Sequence, residues 1–341
     1  MVQLLNLEGE VVNEKDFPKI SDGEVKKIYE LMILSRVFDD VAIKLQREGR
    51  MLTYASLLGQ EASQVGAAFA LSKEDWSITG YRDHGVWITR DFPLEKLYQY
   101  WAGDERGMQI PKELNALPPV IPVGSQIPHA VGIAWANKFR RKKAAVLVYF
   151  GDGATSKGDF HEGMNFAGVF QVPCVFICQN NQWAISVPVS KQTKSETLAQ
   201  KALAYGFEGI LVDGNDIFAV YKTTKDAIEK AKAGKGPTFI ECYTYRIESH
   251  TTADDWKKYR DSQEVQEWKK KDPVERLKKY MQKKGIWNEK YEEKVWGDAK
   301  EKVKQATNKF ESVEVLKPQD MFQYIYKTPP EELKEQIKDF E

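Results

Sequence analysis

The run Ala144-Ala-Val-Leu-Val-Tyr-Phe150 passes directly into Gly151-Asp152-Gly153-Ala154. Apolar residues in unbroken succession, without alternation, are the pattern of a strand buried on both faces of a parallel sheet. The glycine-bracketed aspartate then marks a tight turn at the carboxyl end of that strand. Working outward, Phe160 to Phe170 reads as a helix, Cys174 to Cys178 as a second buried strand and Gly209 to Val212 as a third. Ile217 to Ala233 follows as a helix and Thr238 to Tyr245 as a fourth strand. Strand and helix alternating at this spacing predict an α/β fold, a doubly wound and mostly parallel sheet with right-handed crossovers.

The flanks read differently. Ser21 with Glu24 forms a capping box, and Val25, Ile28, Leu31 and Met32 begin a helical stripe that runs towards Gln46 before Gly49 ends it. The Ala/Gly-rich Gly59 to Leu71 stretch suits a closely packed helix, Ser77 to Asp83 reads as a loop, and Pro93 to Trp101 as another helix. Five prolines between Gly103 and Pro128 (Pro111, Pro118, Pro119, Pro122, Pro128) rule out one regular element there and predict an ordered functional loop. Beyond Trp256 the chain turns to charged helices. One is delimited by Asp272, Pro273, Glu275 and Gly285, and a second carries Tyr291, Val295, Ala299, Val303, Ala306 and Phe310 on one face. The expected organisation is an N-terminal helical extension (1–50), an α/β domain (51–255) and a C-terminal helical region (256–341) packing on the domain and on a subunit interface.

Composition removes several classes of function. The 341 residues carry 50 Lys+Arg against 50 Asp+Glu, so no overall positive field exists to hold nucleic acid. No apolar run approaches the roughly 20 residues that span a bilayer. No secretory signal pattern opens the sequence, and Cys174, Cys178 and Cys242 read as buried reduced thiols, so a cytoplasmic setting is expected.

The chemistry concentrates at two strand ends. Gly151-Asp152-Gly153 is followed, after 26 intervening residues, by Asn180-Asn181 at the end of the next strand. In a doubly wound sheet both segments face the crevice outside the carboxyl ends of the strands. Asp152 offers a hard anionic oxygen and Asn181 a neutral one, and few hard oxygen ligands suit Mg²⁺ completed by substrate phosphate oxygens and water. The implied ligand is a metal-bound diphosphate. A Walker loop is excluded because Asp159 rather than Lys follows Gly158, and a dinucleotide fingerprint because Ser156 stands at the third small-residue position.

The pattern resembles the thiamine diphosphate signature. Around it, Arg36-Val-Phe-Asp39-Asp40, Leu45-Gln-Arg-Glu-Gly49-Arg50, Gly59-Gln60-Glu61-Ala62, Tyr81-Arg82-Asp83-His84-Gly85, Met164-Asn165-Phe166-Ala167 and Glu248-Ser-His250-Thr-Thr-Ala-Asp254-Asp255 occur in order. Together they resemble the α subunit of the E1 component of 2-oxoacid dehydrogenase complexes, the branched-chain type most closely, over residues 20–330. That resemblance implies thiamine diphosphate and Mg²⁺ as cofactors in the 51–255 domain, with Asp152, Asn181 and the carbonyl of Trp183 on the metal. It places the backbone of Gly153 and Ala154 on the diphosphate, Tyr81 and Arg82 on its other side, and the Val123 backbone at the aminopyrimidine. His250 becomes an active-site histidine that contacts the cofactor phosphate and binds or protonates intermediates, while His84, His129 and His161 read as structural. Arg246, Asp254, Tyr259 and Arg260 would organise the His250 loop through salt bridges and hydrogen bonds.

The implied activity is oxidative decarboxylation of a branched-chain 2-oxoacid with reductive acyl transfer to a lipoyl group on the E2 acyltransferase. The implied partner is a β subunit, in an α2β2 heterotetramer, that supplies the glutamate activating the cofactor. Pyruvate or acetoin as substrate, and a catalytically silent assembly subunit of the same fold, are the alternatives. Three departures from the family pattern bear on this. Gly107 to Glu113 replaces an Arg-Gln-Met-Pro-x-His stretch, Gln179 stands where an Arg would hold diphosphate, and Thr53-Tyr54 stands where an aromatic pair lines a branched-chain pocket. Thr251 occupies a position that is a phosphorylated Ser in higher eukaryotic relatives, and phosphorylation is not expected there.

Overall fold

A computed structural model of the chain describes residues 1–322 and 325–340. Its frame is a parallel sheet of six strands: β1 (Trp76–Gly80), β2 (Ala116–Val120), β3 (Val146–Gly151), β4 (Cys174–Asn180), β7 (Gly209–Asp213) and β8 (Thr238–Tyr243). Their spatial order is β2-β1-β3-β4-β8-β7. A short antiparallel hairpin, β5 (Trp183–Ala184) with β6 (Val187–Pro188), follows β4. Residues alternate between the two faces as the strand period requires. Leu147, Tyr149, Val175, Ile177 and Ile240 join one core, and Val146, Val148, Phe150, Phe176 and Phe239 join the other. Both faces are buried, which is why the strands read as continuous apolar runs.

Helices cover both faces. In chain order they are α1 (Asp22–Arg47), α2 (Glu61–Phe69), α3 (His84–Thr89), α4 (Leu94–Trp101), α5 (Gln126–Phe139), α6 (Gly158–Phe170), α7 (Val189–Gln192), α8 (Ile217–Lys232), α9 (Ser262–Lys269), α10 (Pro273–Lys283), α11 (Glu289–Glu311) and α12 (Glu331–Lys338). The first helix starts as its sequence dictates. Ser21 accepts from the Glu24 backbone while the Glu24 carboxylate accepts from the Ser21 N–H, closing the capping box. Asp272 likewise caps α10, with Pro273 at the first helical position. Residues of α10 and α11 pack into the same apolar cluster as α1. No helix among the described residues is long and apolar enough to cross a membrane.

Two expectations fail here. Ser77 to Gly80 is not loop but most of β1, which pairs in parallel with β3 on one side and β2 on the other. Its four-residue SITG core is too short to show a period, and tertiary pairing decides its state. The proline-rich stretch also contains β2, whose Pro118 and Pro119 are tolerated because it lies at the sheet edge. The same stretch runs into α5, where Pro128 falls within the first turn and removes no intrahelical bond. The three cysteines are buried and unpaired, as expected, and burial pushes their thiols up.

Candidate cofactor site

At the carboxyl ends of β1, β3 and β4 lies a cavity of about 490 Å³. Parallel strands end there with their turns splayed, which leaves a crevice at the switch point of the sheet. Every residue to which the resemblance assigned a cofactor contact lines it: Tyr81, Arg82, Val123, Asp152, Gly153, Ala154, Asn181, Trp183 and His250. The turn after β3 is pressed close to the β5–β6 hairpin, since a Cβ on Gly153 would lie 2.9 Å from that of Ala184. Gly124, next to Val123, has a φ of +92° that a side chain would strain.

Asp152 is 2% exposed, and burial pushes its carboxyl up to about 6. The Gln192 amide donates to it at 2.8 Å, and Arg246 acts on it from a distance without pairing. A buried carboxylate left without a paired cation fits a site that takes one from solution. Asn181 keeps its amide oxygen available by donating through Nδ2 to Gln60 Oε1 at 3.1 Å, and that oxygen accepts only the Trp183 N–H at 3.3 Å. The Trp183 carbonyl accepts from Arg246 Nη1 at 2.9 Å and keeps a second lone pair. One carboxylate, one amide oxygen and one carbonyl form a hard donor set suited to Mg²⁺. Among the described residues no cluster of three or more His, Cys, Asp or Glu side chains is arranged to hold a metal, so a metal held here depends on this mixed set.

The opposite wall is cationic. Arg82 donates Nη1 to the Ser56 carbonyl at 2.7 Å and Nη2 to the His250 carbonyl at 2.7 Å. His250 Nδ1 lies 3.1 Å from Arg82 Nη2 and 3.5 Å from Arg246 Nη1. Both neighbours only donate, so Nδ1 is the acceptor and the proton sits on Nε2. Burial, then Arg82, then Arg246 hold the imidazole down at about 3. At neutral pH it is therefore an uncharged N–H donor. Arg246, 1% exposed, is itself pushed down to about 10 by burial and by Arg82 and Arg260. Its guanidinium ties Trp183 and Ile185 carbonyls to the Tyr259 hydroxyl, which donates to Asp254 at 2.5 Å. Asp254 in turn accepts the His250 N–H at 2.9 Å.

The model of the family described as "Dehydrogenase E1 component" matches residues 29–319. The chain belongs to the dehydrogenase E1 component family. It is 45% identical over 337 residues to the pyruvate dehydrogenase E1 component subunit alpha of Bacillus subtilis (strain 168), covering 98% of this chain and 91% of that one. The subunit of the same name from Staphylococcus aureus (strain Mu50 / ATCC 700699) is 44% identical over 339 residues, covering 99% and 92%. That from Bacillus cereus is 44% identical over 338 residues, covering 99% and 91%. The branched-chain likeness of the Tyr81-Arg-Asp-His-Gly85 wording is thus not what these relatives carry in their names. An E1 component of this kind uses thiamine diphosphate and works with a β subunit and an E2 protein.

Within this E1 chain the structure refines several expectations. Of the salt bridges and hydrogen bonds expected among Arg246, Asp254, Tyr259 and Arg260, the described residues show the hydrogen bonds and no salt bridge; Arg260 donates to the Glu248 carbonyl at 2.8 Å. Thr53 lines the cavity, but Tyr54 does not: it is fully buried and stacks on His84 with ring centroids 5.0 Å apart. His84 stays structural, held at about 3 by burial, with Nε2 3.2 Å from the Ala55 carbonyl. Gln179 lines the cavity, yet its amide is spent on Asp83 at 2.5 Å and Gln64 at 2.9 Å. It serves as a buried brace rather than a free phosphate donor.

Two lining residues had been given no task, although Gln60 stands in the Gly59-Gln60-Glu61-Ala62 wording. Gln60 holds Asn181, and its Nε2 is buried without a partner. Ile185 sits at a φ of +55°, a strained conformation for a β-branched residue, at the tip of the hairpin.

Proposed function

We propose that this chain is the α subunit of a pyruvate dehydrogenase E1 component, holding thiamine diphosphate through Mg²⁺ against Asp152, Asn181 and the Trp183 carbonyl. The observation that carries the reading is the meeting, in one cavity at the strand ends, of a buried carboxylate lacking a paired cation and a wall of guanidinium and neutral imidazole. Pyruvate is preferred over branched 2-oxoacids because the relatives matched along 98% or more of this chain carry the pyruvate name.

Bound thiamine diphosphate supplies the electron sink for loss of CO₂ from a 2-oxoacid. Each residue of the chain then has a separable task. Asp152 and Asn181 present oxygens to the metal; Gly153 and Ala154 bring backbone close to the phosphates, which no Cβ at 153 obstructs. Arg82 retains unused N–H donors after its two carbonyl bonds, and its planar fork suits phosphate oxygens. His250, neutral and protonated on Nε2, donates a hydrogen bond without adding charge, and accepts no proton until the pH falls far below neutral. Trp183, Ile185 and Val123 add apolar surface to the cavity lining. The β subunit and the lipoyl-bearing E2 protein are the partners this reading requires, in an α2β2 assembly.

The test is co-expression with a β partner and 2-oxoacid-dependent dye reduction in Mg²⁺ and thiamine diphosphate. Pyruvate is expected to exceed 3-methyl-2-oxobutanoate in kcat/KM, by about tenfold or more. Preference for the branched acid would return the reading to the branched-chain type, and no turnover of any 2-oxoacid despite cofactor binding would mark a silent subunit.

A further inference from the structure

One buried acid lies outside the cavity and has no task in the reading above. Asp39, on α1, is 2% exposed and forms no ion pair among the described residues. Its carboxylate instead accepts from Tyr54 Oη at 2.8 Å, Ser56 Oγ at 2.5 Å and the Leu57 N–H at 2.8 Å. All of these donors belong to one extended strip, 54–57. Burying a carboxylate without a counter-charge is costly, and here the compensation is spent entirely on fixing that strip.

The other edge of the strip faces the cavity machinery. The Ser56 carbonyl accepts Arg82 Nη1 at 2.7 Å. Tyr54 and Thr252 exchange bonds, the Tyr54 N–H donating to Thr252 Oγ1 at 3.0 Å and the Thr252 N–H to the Tyr54 carbonyl at 2.8 Å. The Leu58 carbonyl, one residue on, accepts the Ile247 N–H at 3.2 Å. Arg82 and the segment bearing His250 therefore hang from the same backbone, and Arg82 closes the loop by donating to the His250 carbonyl. We propose that Asp39 is a positioning residue: by clamping Tyr54 to Leu57 it sets the guanidinium of Arg82 and, through Arg82 and Thr252, the imidazole of His250. Its consequence for catalysis rests on the cofactor site proposed above, whereas the geometry itself is measurable without cofactor.

The test uses the cofactor-free complex of the chain with its β partner, with histidines labelled at Cε1 and the His250 resonance assigned by its loss in His250→Gln. The groups facing that ring are Arg82, Arg246 and Tyr81; the Asp254 carboxylate accepts its backbone N–H, and Tyr259 bonds to Arg246 and Asp254. At pH 7.5 the Asp39 carboxyl, which burial pushes up to about 6, is ionised and the His250 ring is neutral. Asp39→Asn releases Arg82 from Nδ1, so the His250 Cε1 shift at that pH is expected to move away from the wild-type value. Arg82→Met gives a similar change, and adding Asp39→Asn to it changes nothing further. An unmoved His250 in Asp39→Asn, with only the melting temperature lowered, overturns the proposal. So does an equal extra shift in the Arg82→Met background.

Should Asp39→Asn fail to fold, Tyr54→Phe and Ser56→Ala each remove one donor and leave the carboxylate; a smaller change of the His250 Cε1 shift in the same direction at pH 7.5 is expected, and none in either overturns the proposal. Calorimetry with Mg²⁺ and thiamine diphosphate separates the two readings. No binding by the wild type speaks against the cofactor site and leaves the His250 measurement standing. With wild-type binding present, Asp39→Asn is expected to weaken it on the order of tenfold, and unchanged affinity counts against Asp39.

Discussion

Asp152 should cost the metal-free protein stability. Its carboxyl is pushed up to about 6 by burial and has no paired cation. A group whose folded pKa lies above its unfolded value of about 3.9 destabilises the fold once it must ionise, because the unfolded chain gives up its proton at lower pH. Asp152→Asn removes the charge and keeps the shape and an oxygen. At pH 7.5 the gap between the two pKa values, at about 1.4 kcal/mol for each tenfold, makes Asp152→Asn more stable by about 3 kcal/mol. At pH 4.5 the native carboxyl is protonated and only the unfolded one is charged, so the advantage shrinks to about 1 kcal/mol. Urea denaturation of both proteins without metal, at the two pH values, reads the difference from the midpoints at equal slopes. Saturating Mg²⁺ and thiamine diphosphate should then stabilise the wild type alone, by about 2.7 kcal/mol at a hundredfold excess over Kd. A variant that is less stable at pH 7.5, or a difference that ignores pH, would refute the view that Asp152 is a charge waiting for a cation.

Other expectations follow from the same geometry. Arg246→Met leaves the carbonyls of Trp183 and Ile185 without their donor, so cofactor affinity should fall and the unfolding free energy should drop by about 2 to 3 kcal/mol; calorimetry and urea melts check both. His84, held at about 3 in the fold, binds a proton in the unfolded chain first, so its contribution is lost as pH falls below about 6.5. His84→Gln should therefore gain on the wild type by about 1.4 kcal/mol per pH unit between pH 6 and 4, measured by the same melts. A Cβ on Gly209 would run into the Ala199 carbonyl and its backbone, so Gly209→Ala should lose about 2 to 3 kcal/mol; an unchanged melt would mean that the turn at Ala199 yields freely.

The sheet's centre was legible because β3, β4 and β8 are buried on both faces and announce themselves as apolar runs. The β2–β1 side was not: β1 is short and β2, at the edge, carries two prolines, so their strand character comes from neighbours rather than from their own residues. The site divides in the same way. Asp152, Asn181 and the glycines beside Asp152 follow strands that the sequence marks, and their convergence is a consequence of parallel topology. Arg82, Val123 and Trp183 entered through family resemblance alone, since a loop arginine or an exposed valine has no signature of its own. The tasks of Gln60 and Ile185 were invisible for a physical reason. One acts through a side-chain hydrogen bond that it accepts from Asn181, the other through a backbone conformation at a hairpin tip, and neither is written in residue type. The branched-chain expectation and the pyruvate names of the relatives part company because motif wording around Tyr81 and His250 reports on cofactor and loop contacts, not on the acyl pocket.

The central claim is that Asp152 and Asn181 form the metal end of a thiamine diphosphate site. Calorimetric titration of thiamine diphosphate into the complex of this chain with its β partner, with Mg²⁺ and with chelator, tests it most directly, with Asp152→Ala alongside. Binding that requires Mg²⁺ in the wild type and disappears in Asp152→Ala is the predicted result. Equal affinity in chelator, or in Asp152→Ala, would contradict it.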